Sequence, residues 1–278
     1  MTGFGAAEMA AVMDMMARIA AEEITPRFRG LGAGDIGEKT GPADLVTVAD
    51  TRAEARLTEE LLRRFPGARV TGEETAEPGF DYAADPLLFV IDPVDGTWNF
   101  ANGLPVFGSM VSVLSGGNTI AGLIHYPLEG DFLHARAGGG AWRQRPGGPA
   151  ARLQQTGRRG AQPTGLFPHT MFDSPTHVGA VRALAPGTRL MNLQCSAYDY
   201  RMLAEGGAQF SLAAGLKPWD HCAGLLILSE TGGHAALSDG TAWRPGVPTP
   251  ATLIAAADMD TWQEVREALA AVLPLQLG

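Results

Sequence analysis

The chain reads as an α/β (α+β) protein. Its first half is built on an antiparallel sheet, and its second half alternates strands with helices towards a mixed sheet. Three observations predict this. Between residues 106 and 137 three apolar, β-rich runs follow one another with only turn residues between them, which is the pattern of a meander. From residue 178 onward, strand-length apolar runs alternate with runs at helical spacing. A chain of 278 residues, 45% hydrophobic and 18% charged, can bury a large core as one domain or two intimate halves. The composition shifts near residue 150, so the halves are taken as 1–150 and 151–278, forming one compact unit.

In order, residues 8–24 place Met9, Val12, Met13, Met16, Ala20 and Ile24 on one face, with Asp14, Arg18 and Glu22 on the other. This is an amphipathic helix that Pro26 closes. Gly30 to Gly41, containing Lys39, reads as a mobile loop or hairpin. Asp44–Asp50 leads into a second helix with Ala53, Leu57, Leu61 and Phe65 inside, and Asp50 stands where an N-cap belongs. Arg69 to Thr71 is a short strand ending in Gly72-Glu73-Glu74-Thr75. The meander follows as Val106–Leu114, Thr119–His125 and Phe132–Ala137, with a Gly116-Gly117-Asn118 turn. Residues 137–165, rich in Gly, Pro and Arg (Arg143, Arg145, Arg152, Arg158, Arg159), read as a solvated loop. The second half gives helices over 178–184, 197–204 and 222–231, and strands over 189–193, 208–212 and 252–256. Asp260 caps a final helix that buries Trp262, Val265, Leu269 and Val272.

One stretch stands apart. The apolar run Leu87-Leu88-Phe89-Val90-Ile91 ends in Asp92-Pro93-Val94-Asp95-Gly96-Thr97. Pro93 holds Asp92 extended, so the strand should reach Asp92 and then turn. Gly96 lets the backbone approach a ligand and Thr97 can start a helix. Carboxylates at a strand end suit a hard divalent cation, and N–H groups at a helix start suit a phosphate. Taken alone, the same residues also read as an acidic turn in which each Asp caps its own backbone. Glu73 and Asp220 likewise follow a strand or open a helix, and each has an equally plain reading as a turn or a cap. If these carboxylates converge they need counter-charge. Oxygen donors without Cys or paired His favour Mg²⁺ over Zn²⁺.

The formal net charge of −9 disfavours a general nucleic-acid or anionic-membrane binder. Two cysteines, Cys195 and Cys222, give neither a disulfide framework nor zinc spacing, so a reducing cytoplasm is the expected compartment. The start lacks a basic region followed by an apolar core, and no apolar run approaches the ~20 residues of a membrane helix. His125, His134, His169, His177 and His234 have no ligand-like spacing and are assigned no role.

Asp92-Pro-Val-Asp95-Gly96-Thr97-Trp-Asn-Phe100 resembles the signature of the inositol monophosphatase family, the Mg²⁺-dependent, lithium-sensitive phosphatases. Gly72-Glu73-Glu74, Trp219-Asp220-His-Cys-Ala-Gly224 and Asp44-Leu-Val-Thr-Val-Ala-Asp50 resemble its other motifs, in the same order. Four motifs from residue 44 to residue 224 make a specific match. The resemblance implies a layered αβαβα sandwich, usually a homodimer, with the metal and phosphate site in the first half and completed by the second. It implies that Glu73, Asp92 and the Val94 carbonyl hold a first Mg²⁺, and that Asp92, Asp95 and Asp220 hold a second. Glu73 also helps hold a weaker third ion. Gly96 and Thr97 would hold the phosphate through backbone N–H groups. Asp50 and Thr97, with Glu73, would orient and deprotonate the attacking water, which makes Asp50 a proton acceptor as well as a cap. The reaction implied is hydrolysis of a small phosphate monoester, inhibited by Li⁺.

The sequence departs from the family pattern in two places. The position where inositol-hydrolysing members carry a Glu that contacts substrate hydroxyls is Ala213 here, which argues against inositol monophosphate itself. The family's small turn becomes Cys195-Ser196-Ala197-Tyr198, with Asp199 and Arg201 close behind. Asp95, Ser196, Arg201, Lys217 and Asp220 are therefore the candidate substrate contacts. Lys217, Arg201 and His221 are expected to offer positive charge to the leaving group, predicting an anionic alcohol or at least not a bare polyol. Histidinol phosphate, a sugar phosphate or a 3′-phosphonucleotide are alternative substrates for the same mechanism. A metal-binding regulatory protein in RNA metabolism is the reading from another class; the acidic charge argues against direct RNA contact.

Overall fold

The computed structural model describes residues 4–41, 44–84, 87–154, 162–168 and 173–273. Arg158, Arg159 and His169 lie outside these residues. Helix α1 (Ala6–Ile19) runs into a π-turn over Ala20–Ile24 and a short 3₁₀ turn containing Pro26. Its Met9, Val12, Met13, Met16, Ala20 and Ile24 are all buried, as their spacing predicts. Strands β1 (Ile36–Gly41) and β2 (Asp44–Thr47) form an antiparallel hairpin, so the Gly-rich stretch is the hairpin of the two alternatives. Helix α2 (Val48–Arg64) follows, with Thr47 as its N-cap.

The first sheet has seven strands in the order β3-β4-β5-β6-β7-β8-β9. They are β3 (Arg69–Gly72), β4 (Leu88–Asp95), β5 (Gly108–Ser115), β6 (Asn118–Tyr126), β7 (Asp131–Arg136), β8 (Ala141–Gln144) and β9 (Ala151–Arg152). Only β3 and β4 are parallel; every other pair is antiparallel. The reading of 137–165 as loop is corrected here. Its Gly-rich tracts are turns, and the residues between them extend the meander as β8 and β9. The short helix α3 (Thr97–Ala101) leaves the end of β4.

The second sheet is five-stranded and mixed, in the order β11-β10-β12-β14-β13. It comprises β10 (Thr164–Leu166), β11 (Arg189–Met191), β12 (Phe210–Ala213), β13 (His234–Leu237) and β14 (Leu253–Ala256). Sequence patterning missed β10 and β13, each only three or four residues long and too short to show a period. Helices α4 (Ser174–Leu184), α5 (Ser196–Ala204), α6 (Pro218–Glu230) and α7 (Met259–Leu269) complete the chain. Asp258, not Asp260, caps α7 by accepting the Thr261 N–H at 2.7 Å.

Three apolar clusters set the layers. Helices α1 and α2 pack on one face of the first sheet, where Leu57 and Leu61 meet Phe89, Ile91 and Val111. The other face presents Met110, Ile124 and Leu133 to Leu203, Ala223 and Ile227 of α5 and α6, which also touch the second sheet. Beyond that sheet, Phe210, Leu212 and Ile254 meet Ala180 and Leu184 of α4 and Trp262 and Val265 of α7. The result is the αβαβα stack expected from the resemblance, with α5 and α6 as its central layer. In α6, Gly224 lies where an added Cβ would come within 1.9 Å of the Tyr200 ring, so only glycine lets the two central helices meet this closely.

Candidate active site

Strand β4 does not end at Asp92. Asp92 pairs with Met110, but the next pairing is Asp95 with Gly108. Three residues on β4 therefore span two on β5, which is a bulge. Pro93 explains it, because proline has no N–H for a regular ladder. The bulge has a chemical consequence. Residues three apart on a regular strand face opposite sides. The extra residue reverses the alternation, so Asp92 and Asp95 both face one cavity.

Asp92, Asp95 and Asp220 each offer an oxygen within 4.8 Å of the others. Asp92 is buried, and its Oδ1 has no hydrogen-bond partner. Burial, then the charges of Glu73, Asp95 and Asp220, push its carboxyl well above the usual range. Asp220 is raised in the same way, by burial and then by Asp95 and Glu73. Three crowded carboxylates with an orphaned buried oxygen form an oxygen-only donor set of high charge. It fits a hard divalent cation, whose charge removes the repulsion that raises these carboxyls.

Asp95 has a second duty. Its carboxylate accepts from the Cys195 thiol (3.0 Å), the Ser196 N–H (3.2 Å) and the Ala197 N–H. It thus caps α5 from another element and ties the first sheet to the central layer. Burial pushes it up to about 6, although these three donors pull it down.

Asp220 sits in the first turn of α6, behind Pro218, and Lys217 is the N-cap residue. Asp50 is likewise not the N-cap of α2. It occupies the third helical position, and its Oδ2 accepts from the Thr47 N–H (2.9 Å) and the Thr47 hydroxyl. This leaves Oδ1 for the Thr97 hydroxyl, at 3.0 Å. The Val94 carbonyl accepts from the same hydroxyl at 2.9 Å, so one hydrogen has two acceptors and Val94 O keeps a lone pair. Asp50 is fully buried, and burial pushes its carboxyl up to about 6. Gly96, with φ of +85°, turns the chain from β4 into α3. A Cβ there would lie 2.9 Å from Val106 O and 3.2 Å from the Cys195 side chain.

Glu73 follows β3, and its N–H donates to Ile91 O at 3.0 Å. Its Oε1 accepts from Lys39 Nζ at 2.7 Å, and Glu74 shares that ammonium at 2.7 Å. Burial opposes the Lys39 charge, but Glu73 and Glu74 hold it above the usual lysine range. Glu54 of α2 braces the turn by accepting the Glu74 N–H (3.0 Å) and the Thr75 hydroxyl (2.7 Å). Sequence reasoning gave Lys39 and Glu54 no role. A lysine in a hairpin just before an Asp-rich segment is the only signal that could have found the first.

Glu73, Asp92, Asp95, Gly96, Thr97, Ser196, Ala213 and Asp220 all line one cavity of about 310 Å³. None of the three expected cationic residues places a charged group on its wall. Arg201 lies outside its wall; its guanidinium faces Asp131 (3.5 Å), Glu205 (3.9 Å) and Glu129 (4.0 Å) and stacks over Tyr126. Lys217 is exposed, with its ammonium 5.8 Å over the Trp219 ring. His221 does line the cavity, but burial lowers its pKa to about 4 and its Nδ1 meets Tyr200 OH at 3.0 Å. It is neutral near pH 7.

The profile of the inositol monophosphatase family matches residues 6–275. A fructose-1,6-bisphosphatase/inositol-1-monophosphatase of Thermotoga maritima is 30% identical over 205 residues, covering 72% of this chain and 73% of its own. The inositol-1-monophosphatase SuhB of Mycobacterium tuberculosis is 30% identical over 244 residues, covering 82% and 81%. The chloroplastic bifunctional phosphatase IMPL2 of Arabidopsis thaliana is 28% identical over 273 residues, covering 94% and 74%. Among solved structures, the Thermotoga maritima IMPase superposes with a TM-score of 0.79 at 22% identity, covering 96% of this chain and 99% of that one. The suhB protein of Bartonella henselae gives 0.79 at 24%, covering 95% and 98%. These two likenesses concern the fold.

Proposed function

The chain belongs to the inositol monophosphatase family, and from that premise we propose that it hydrolyses a small phosphate monoester with Mg²⁺ held by the acidic cluster. The observation that carries this is the convergence of Asp92, Asp95 and Asp220 beside the Asp50–Thr97 pair. Glu73, Asp92 and Val94 O would hold one ion, and Asp92, Asp95 and Asp220 another, with Glu73 able to share a third. Bound there, Mg²⁺ would supply a reactive nucleophile from water at neutral pH and neutralise charge building on the phosphoryl and leaving oxygens.

The chain's own residues do the rest. Thr97 donates its hydroxyl hydrogen to Asp50, so its oxygen can accept from the attacking water; as the water's proton moves to Thr97, the Thr97 proton passes to Asp50. Asp50 is the acceptor behind it, and its raised pKa places it nearer the working pH, where a general base is most effective. The Gly96–Thr97 backbone at the start of α3 would hold the phosphate. Asp95 fixes the position of Ser196 against the substrate by holding the first turn of α5. Lys39, paired with Glu73, occupies one oxygen of the ligand that would bind the first and third ions.

Among the described residues no helix is long and apolar enough to cross a membrane. We place the protein in the cytoplasm on its cysteine usage, with Cys195 and Cys222 both free and buried, and expect a homodimer, which sedimentation would test. Halves 1–150 and 151–278 would act as one unit, since metal ligands come from both. Phosphate release from simple monoesters, with and without Mg²⁺, tests the function. Release that depends on Mg²⁺ and falls with millimolar Li⁺ is expected; no release from any ester would refute it.

A further inference from the structure

Beyond the metal ligands, the cavity wall comes largely from α5, β12 and β14: Ser196, Asp199, Tyr200, Ser211, Ala213 and Leu253. Asp199 stands out among these. Its Oδ2 accepts from the Ser211 hydroxyl at 3.2 Å, while its Oδ1 is buried and has no hydrogen-bond partner. Ser211 and Ala213 are two apart on β12 and so face the same side. The Asp199–Ser211 pair therefore lies on the wall that Ala213 leaves bare. Once ionised, Asp199 could accept about four hydrogen bonds, and the protein offers it a single neutral donor.

Among the described residues no cationic side chain stands ready to balance its charge when it ionises. Among the described residues no Lys or Arg lines the cavity. His221 is buried with its Nδ1 against Tyr200 OH, Arg201 is held by Asp131 and its neighbours, and Lys39 serves Glu73 and Glu74. Asp44 adds a further acid to the same cavity. Burial, and then the charge of Asp95, push the Asp199 carboxyl up to about 8, so near pH 7 it is largely protonated until a cation beside it favours the ionised form. Divalent ions held by Asp92, Asp95 and Asp220 would serve the phosphate, which would leave Asp199 to the alcohol.

We infer that Asp199 is a specificity-determining residue that binds a protonated amine on the leaving group, so that the preferred substrates are phosphate monoesters of amino alcohols. This rests on the phosphatase reading above and names its substrate class. An ammonium carries both the donors and the charge that Asp199 lacks. A hydroxyl would supply one donor and leave the charge unbalanced. An anionic alcohol, which Lys217, Arg201 and His221 led us to expect from the sequence, would meet only acids and neutral groups on this wall.

The test is a series of ω-aminoalkyl phosphates of two to four carbons, each assayed with Mg²⁺ against its hydroxyalkyl and alkyl counterparts. The best amine ester should exceed both counterparts in kcat/KM by ~10-fold or more, the usual worth of a charge-assisted hydrogen bond. In Asp199→Asn that ratio should fall towards one, and Asp199→Glu should recover part of it. A merely structural role would lower all three esters alike and leave the ratio unmoved. Equal rates across the wild-type series, or a ratio that survives in Asp199→Asn, overturn the inference and leave the phosphatase reading standing. Should Asp199→Asn fail to fold, the wild-type ratio still decides. Absence of Mg²⁺-dependent release from every ester overturns the phosphatase reading itself, and the inference with it.

Discussion

Single residues here serve two masters, and substitutions can separate them. Asp95 is both a proposed metal ligand and the cap of α5. Asn keeps one of the two acceptor oxygens that hold the start of α5, but it is a poor partner for a hard cation. Asp95→Asn should therefore lose Mg²⁺-dependent turnover by ~100-fold or more while its thermal midpoint falls less than that of Asp95→Ala. Asp95→Ala should lose the turnover and ~0.5–2 kcal/mol of stability as well. Parallel assay and melting curves check this; a near-normal rate in Asp95→Asn would contradict the ligand assignment. Thr97→Ser keeps the hydroxyl between Asp50 and Val94 O and should retain most activity. Thr97→Val should lose ~10²-fold or more, the scale of general-base assistance, at a modest change in KM. Asp50, Glu73, Asp92, Asp95 and Asp220 were legible in the sequence because each follows a strand or opens a helix within a motif. The side chains of Arg201 and Lys217 were not. A long cationic chain goes where acids and rings are, and two partners of Arg201, Tyr126 on β6 and Asp131 on β7, lie some 70 residues away in the chain.

At the scale of elements, local geometry aims the chemistry. The Pro93 bulge brings Asp92 and Asp95 to one side, and left-handed Gly96 launches α3 from the strand end. Gly96→Ala should cost ~1–3 kcal/mol in backbone strain alone, with further loss because its Cβ would press on Val106 O and Cys195. Denaturant melts and phosphate release should fall together in this variant; a silent Gly96→Ala would mean that the turn is not held as described. Sequence pattern located most elements but misplaced their starts. The caps belong to Thr47 and Asp258 rather than Asp50 and Asp260, because several polar residues near a helix start can each cap it and only the packed backbone selects one. Short strands such as β10 and β13 were invisible for want of enough residues to show alternation, and β8 and β9 were hidden among turn glycines.

For the whole molecule, the layers place buried acids from both halves around one cavity, and this makes stability depend on protons and metal. Burial pushes Asp50 and Asp95 up to about 6 and Glu74 up to about 7. Each value lies above that of the unfolded chain, ~4. Between those values the folded state binds more protons than the unfolded one. The stability from these groups is therefore fully present below about pH 4 and is lost as pH rises through 6 to 7. Metal-free protein should accordingly melt at a higher temperature at pH 5 than at pH 7.5. Mg²⁺ should raise the midpoint at pH 7.5 more than at pH 5, since protons and metal compete for the same carboxylates. Scanning fluorimetry over pH with and without EDTA checks both; a Mg²⁺ effect independent of pH would contradict the shared site. The layered architecture itself was reached from the sequence through the family motifs, whereas periodicity gave only the two kinds of sheet. Which residues form the central layer depends on contacts such as Gly224 against Tyr200, which join positions with no pattern in common.

The central claim is that Asp220, far along the chain from Asp92 and Asp95, completes a catalytic metal site with them. Its most direct test is phosphate release from a monoester across a Mg²⁺ titration, for wild type and for Asp220→Asn with its folding verified by circular dichroism. The account predicts release that EDTA abolishes in wild type, and a loss of ~100-fold or more in folded Asp220→Asn at any Mg²⁺ concentration. Folded Asp220→Asn that turns over like wild type, or wild-type hydrolysis that persists in EDTA, would contradict it.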